Sequence, residues 1–194
     1  MKRLFTLLTV FAAIWIGSPA VAGNATAFVA SLGEAVVAIL ENPALSPAER
    51  VDRYRAQFDK AFDWDRIGAF AIGQYQRGVP REKFVAYRDQ FAQHMTNIYA
   101  AKFADYSGER FLVKGEWQFG RGGSEFTALL VRRDGSDPVK LAFKLVRIGE
   151  APRIYDVVID GVSLLVAKRA EMKGIIAARG IDGFIAQLKR VNAS

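Results

Sequence analysis

Few side chains in this sequence are equipped for chemistry, and their spacing limits what they can do. The one histidine, His94, stands beside Met95 in a helix-periodic stretch, and there is no cysteine. A Cys/His metal site needs several ligands at matching spacing, and a lone His cannot supply them. The missing cysteines also exclude disulfides and thiol catalysis. A serine hydrolase built on His94 with Ser124 or Ser163 lacks its nucleophile elbow, because Leu165 stands where the second glycine after Ser163 belongs. Asp156 and Asp160 share a strand face four residues apart. Such a pair can do acid–base work when its pKa values are split, and strand-end aspartates more ordinarily accept turn N–H groups. The glycines of Phe119–Ser124 lack the Gly-Lys-Ser/Thr ending of a phosphate loop and join two strands, which reads as a hairpin turn.

These residues must be held by a single compact unit. The chain has 194 residues, 51% hydrophobic, 12% aromatic and 24% charged, which suits one domain around one core. Its N-terminus reads as a secretory signal: Lys2 and Arg3, an apolar run from Leu4 to Ile16, then Ser18-Pro19-Ala20-Val21-Ala22 with cleavage expected after Ala22. The run is shorter than the roughly 18–20 residues of a membrane span. The expected layout is a signal peptide at 1–22 and one domain at 23–194. Removing Lys2 and Arg3 takes two positive charges from the net +7 and leaves +5 on an exported, cysteine-free chain, which suits a bacterial periplasm.

Periodicity places the elements. Phe28, Val29, Leu32, Val36, Ile39 and Leu40 predict a helix over 25–41, ended by Asn42-Pro43. Ser46-Pro47-Ala48-Glu49 is a capping box for the next helix, with Val51, Tyr54, Phe58 and Phe62 on one face. Asp63 starts another, ending near Gly73. Residues 80–106 carry the longest helical pattern, longer than a typical globular helix and long enough to allow a bend or break inside it. From Phe111 the period becomes two, predicting strands at 111–119, 126–133, 139–145 and 154–159, with Asp134–Pro138 as a hairpin turn. A helix from Leu164 stops at Gly180, and Asp182 caps a last short one. Helices covering one face of a four-stranded antiparallel meander make an α+β fold.

The positive charge is dispersed over helices and strands without a nucleic-acid recognition motif, so anionic lipid head groups or acidic patches on proteins are its natural partners. The 14 Phe, 6 Tyr and 3 Trp read first as a core. An antiparallel sheet facing several helices can also enclose a ligand cavity, and periodicity alone does not separate the two.

The motifs resemble those of the MlaC family, the toluene-tolerance proteins. Tyr155-Asp156 followed by Asp160-Gly161-Val162-Ser163-Leu164-Leu165 is similar to the family's Tyr-Asp…Gly-Val-Ser signature, and Arg179–Leu188 to its C-terminal ending. Ile72-Gly73-Gln74-Tyr75 with Phe84–Tyr106 resembles its central helical region, and Pro138–Phe143 its strand before the signature. The order is the same over nearly the whole chain from about residue 25. Arg153 departs from the pattern, standing where many members carry Trp before the Tyr-Asp pair.

The resemblance implies a twisted four-stranded sheet wrapped by N- and C-terminal helices around an apolar lipid pocket. It implies a periplasmic, non-enzymatic, monomeric carrier, with phospholipid as cargo and neither cofactor nor metal. Such carriers work between an outer-membrane lipoprotein–porin complex and an inner-membrane ABC transporter with a lipid-binding ring, maintaining outer-membrane lipid asymmetry. Hopanoid-associated members of the superfamily share the motifs and form the alternative. With the inward faces as lining, the expected lipid-binding residues are Val113, Trp117, Leu141, Phe143, Val157 and Ile159 on the sheet, Phe70, Phe91, Met95 and Ile98 on helices, and Val162 after the fourth strand; each also has a core reading. Two rivals stay open: an enzyme using Asp156, Asp160 or His94 in the same cavity, and a structural protein with a filled interior.

Overall fold

The structure, a computed structural model, describes residues 22–103, 108–119, 123–148 and 151–193, with the backbone alone described at 22–24, 102–103 and 116–119. The expected signal peptide and the turns at 120–122 and 149–150 lie outside the described residues, apart from Ala22. Helix α1 is Ala22–Leu40, α2 Pro47–Ala61, α3 Trp64–Ile72, followed by a 3-10 turn at Gly73–Gln76, and α4 is Arg81–Phe103. Strands β1 (Arg110–Phe119), β2 (Gly123–Val131), β3 (Val139–Ile148), β4 (Ala151–Ile159) and β5 (Val162–Ser163) lead into α5, Leu164–Asn192.

Local chemistry sets the helix boundaries. Ser46 accepts from Glu49 N at 3.3 Å while the Glu49 carboxylate accepts from Ser46 N at 2.8 Å, the reciprocal capping box that starts α2. Asp63 caps α3 by accepting from Arg66 N at 3.0 Å. Over Arg81–Phe103 helix α4 runs as one element, without the break that its length allows, and residues 104–106 of the helical pattern lie outside the described residues. Its packing supplies the continuity: Phe84, Tyr87, Phe91 and Met95 are all buried along one side. Helix α5 kinks at Gly180, whose φ of 67° and ψ of 176° lie outside the helical region, in agreement with the stop read from the sequence.

The sheet is antiparallel in the order β1-β2-β3-β4-β5. The four expected strands are joined by β5, a two-residue return paired as Ile159↔Val162 and Val158↔Ser163. Asp160 and Gly161 make the turn between them with φ of 48° and 86°, the two positive values that a tight hairpin of this hand needs and that Asp-Gly tolerates. Strand β1 departs from simple alternation: a bulge between Val113 and Gly115 shifts its register against β2, so residues before and after it no longer share one period.

The interior is divided. One buried cluster joins α3, α4 and α5 through Ile67, Tyr87, Phe91, Met172 and Phe184. A second joins α1 to the sheet through Val29, Phe126, Leu145 and Ile154, and a third joins α1, α2 and α4 through Ile39, Tyr54, Phe58 and Ala100.

Candidate functional site

Where the three clusters meet, a cavity of about 230 Å3 remains unfilled. The sheet contributes Phe111, Leu130, Leu141, Phe143, Val157 and Ile159 to its wall. Pairing explains their convergence: Phe143 lies opposite Val157 and Leu141 opposite Ile159, so β3 and β4 turn alternate side chains to one face. Helix α1 supplies Val29, Leu32, Gly33, Val36, Val37 and Leu40. Gly33 allows this approach, because a Cβ there would overlap the Phe111 ring. Ile67 of α3, Phe91 and Met95 of α4, and Leu164 and Leu165 of α5 close the remaining side.

Polar groups enter the wall at few places. Asp156 is buried and accepts from Ser163 Oγ at 2.8 Å and from Leu165 N at 3.2 Å, with Lys144 Nζ at 3.6 Å. Ser163 Oγ in turn accepts from Val166 N at 3.1 Å. The signature residues thus fasten β4 to the first turn of α5, and Asp156 is committed to that joint. Burial and the Asp156 charge push the Tyr99 hydroxyl up to about 12, so it stays protonated at neutral pH. Lys168 lines the rim and pairs with Glu171 at 2.7 Å. Trp64 also lines the cavity, and its Nε1 is buried with no acceptor among the described residues. An oxygen brought there by a ligand would satisfy a donor that is otherwise orphaned.

Of the residues expected from the sequence to contact lipid, Phe91, Met95, Leu141, Phe143, Val157 and Ile159 stand together on this wall. Val113 packs beside it in the α1–sheet cluster, and Ile98 is half-buried on α4 outside the lining. Val162 is 58% exposed on β5, and Phe70 is 40% exposed on the outer side of α3 beneath Arg169. The backbone of Trp117 pairs with Glu125 beyond the β1 bulge, and its side chain lies outside the described residues. Sequence reasoning passed over α1, which lines the cavity along its length; the apolar stripe from Val29 to Leu40 was the available signal.

The chemistry-bearing residues are dispersed. Asp160 accepts from Lys140 N at 2.9 Å and serves its turn. His94 sits in a small separate crevice with Lys168 and Glu171, and burial, helped by the Lys168 charge, lowers its pKa. Among the described residues no three His, Cys, Asp or Glu side chains gather as a metal site requires. Among them also, no helix is long and apolar enough to cross a membrane.

The fold of a meander covered by helices has a known counterpart. The phospholipid-binding protein from Ralstonia solanacearum, solved in complex with a phospholipid, superposes with a TM-score of 0.75 at 20% identity, over 88% of this chain and 97% of that one. The intermembrane phospholipid transport system binding protein MlaC of Haemophilus influenzae is 23% identical over 126 residues, 63% of this chain. The chain spans 59% of the length of that relative. The sequence profile of the MlaC protein family matches residues 31–190, from within α1 to near the end of α5. With the profile covering every strand, α2 to α4 in full, nearly all of α5 and the second half of α1, the chain belongs to the MlaC protein family.

Proposed function

We propose that this chain is a periplasmic lipid carrier, holding phospholipid acyl chains in the cavity between α1, α4 and the sheet. It exchanges that cargo between an outer-membrane lipoprotein–porin complex and an inner-membrane ABC transporter. The observation that supports this reading is the cavity itself, about 230 Å3 bounded almost wholly by aliphatic and aromatic side chains. An apolar cavity of about 150 Å3 stays free of water and takes up benzene, so this one has room for more hydrocarbon than a single ring. Each methylene moved from water into such a site is worth about 0.8 kcal/mol, which offsets the cost of lifting a lipid from a bilayer without covalent chemistry. The lining proposed for the acyl chains includes Phe91, Met95, Leu141, Phe143, Val157 and Ile159 together with the inner face of α1.

The relatives add to the support, since one is named for intermembrane phospholipid transport and the other was solved with a phospholipid bound. A catalytic reading finds less, because Asp156 and Asp160 are spent on a cap and a turn and His94 lies outside the cavity. Native mass spectrometry of the exported protein, with extraction of the bound lipid, tests the proposal. A mass increment matching a diacyl phospholipid is expected. A ligand-free mass, together with no uptake from phospholipid vesicles, would overturn it.

A further inference from the structure

Outside the cavity, α3, the 3-10 turn and α5 border an open groove of about 780 Å3. Its lining includes three arginines (Arg66, Arg77 and Arg169), two glutamines (Gln74 and Gln76) and Phe70, with no carboxylate among the lining residues. None of the three guanidinium groups has an acidic partner among the described residues. Nearby arginines behave differently: Arg81 and Arg88 both pair with Asp65, at 3.3 and 2.7 Å.

Aromatic faces hold two of the groove arginines in place. The Arg169 guanidinium lies 4.7 Å from the Phe70 ring centroid and donates from Nη1 to the Phe70 carbonyl at 3.2 Å. The Arg66 guanidinium lies 4.9 Å from the centroid of Tyr155. Stacking fixes a guanidinium without neutralising it, and leaves its remaining donors for another group. Gly73 lets the Arg169 guanidinium lie close over the backbone, since with φ at 53° a Cβ there would come within 2.6 Å of Arg169 Nη2. Phe70 remains 40% exposed on the groove wall.

Concentrated positive charge beside an exposed ring defines the occupant. Guanidinium forks match carboxylates in paired hydrogen bonds, and arginine with aromatics is enriched where proteins bind one another. A single inorganic anion would leave most of 780 Å3 and the Phe70 ring without a partner. We propose that this groove docks a projecting acidic segment of a protein partner, its Asp or Glu side chains meeting Arg66, Arg77 and Arg169 and an apolar side chain covering Phe70. The proposal goes beyond the carrier reading and stands on the groove alone, whatever fills the cavity.

Titration of the isotope-labelled mature chain, lipid-loaded and delipidated, with a short synthetic peptide alternating Glu and Leu tests it by NMR. Three other probes run alongside: the Gln/Leu counterpart, phosphatidylcholine–phosphatidylglycerol vesicles, and inorganic phosphate. The Glu peptide should shift the resonances of Phe70, Gln74 and Arg77 Nε. Arg77→Glu should weaken its binding roughly tenfold or more, as loss and reversal of an interfacial charge pair does. Arg110→Glu makes the same charge change on β1, at the opposite edge of the sheet, and should alter binding by about twofold or less. Arg169→Lys, which keeps the charge and loses the fork, should weaken binding while thermal unfolding confirms the fold. The proposal is overturned if the peptide leaves these resonances unmoved, if both charge reversals weaken it equally, or if vesicles or phosphate bind the groove and the peptide does not. Failure to load lipid would count against the carrier reading and leave the groove result standing.

Discussion

Val157 offers a way to close the cavity from within. It lies on β4 opposite Phe143, with its side chain on the cavity wall. Val157→Phe keeps a residue that favours strands and sends about four more carbon atoms into the void. If these occupy roughly a third of the 230 Å3, a cavity cost near 24 cal/mol per Å3 makes the delipidated protein about 2 kcal/mol more stable. That raises Tm by about 4–8 °C for a chain of this size. The same atoms displace about four methylenes of cargo, worth about 3 kcal/mol, so lipid should bind about 200-fold more weakly. Calorimetry of delipidated protein and a lipid titration read the two effects separately. Val157→Ala should act in the opposite sense on stability, lowering Tm while lipid binding is kept. Native affinity in Val157→Phe alongside a raised Tm would show that the cargo lies elsewhere. A lowered Tm would show that the void cannot accept the ring, and would refute the reasoning at its first step.

Other perturbations address the joints around the cavity. Asp156→Ala strips the acceptor from Ser163 Oγ and from the first turn of α5, and should cost about 2–4 kcal/mol in urea unfolding; an unchanged midpoint would contradict that role. Gly161→Ala places a side chain at φ of 86° in the β4–β5 turn and should destabilise by about 1 kcal/mol, read as a lower Tm. His94 is held below its ordinary pKa first by burial and then by Lys168, against smaller opposing effects of Glu171 and Asn192. The unfolded chain therefore takes up the proton first, so this contribution is complete above about pH 6.5 and is lost as pH falls below it. His94→Gln should flatten the fall in stability between about pH 7 and 5, and an unaltered slope would assign that fall to other groups.

Much of the architecture could be read directly because its signals are local. The Ser46–Glu49 box, the Asp63 cap, the Gly180 kink and the four strands each follow from a short stretch of sequence. The sheet half of the cavity was legible for the same reason, since alternate residues of β3 and β4 must face one side. What escaped depended on contacts between distant segments. Helix α1 reads as an ordinary amphipathic helix, and only its approach to Phe111 makes it a cavity wall. Phe70 has the spacing of an inward residue, yet Ile67 takes the buried side of α3 and Phe70 turns outward to Arg169. The bulge in β1 is set by pairing with β2 and carries no period that its own residues reveal.

The division of the interior into three clusters bears on what the proposed lipid would do to the packing around it. Residues from each cluster face the chamber: Phe91 and Met95 from one, Val29 and Phe143 from the second, Phe58 and Tyr99 from the third. Hydrocarbon lodged among them would act as a keystone, turning three adjoining arches of packing into one. Whatever stability the keystone adds is the same free energy that holds it in place, by thermodynamic linkage. A firmer grip therefore widens the gap in stability between the loaded and the empty protein, and a release of lipid would give up that whole difference. If lipid is the load, as proposed, the three clusters must each hold together without it, because the empty protein has only their separate packing to keep it folded between one lipid and the next.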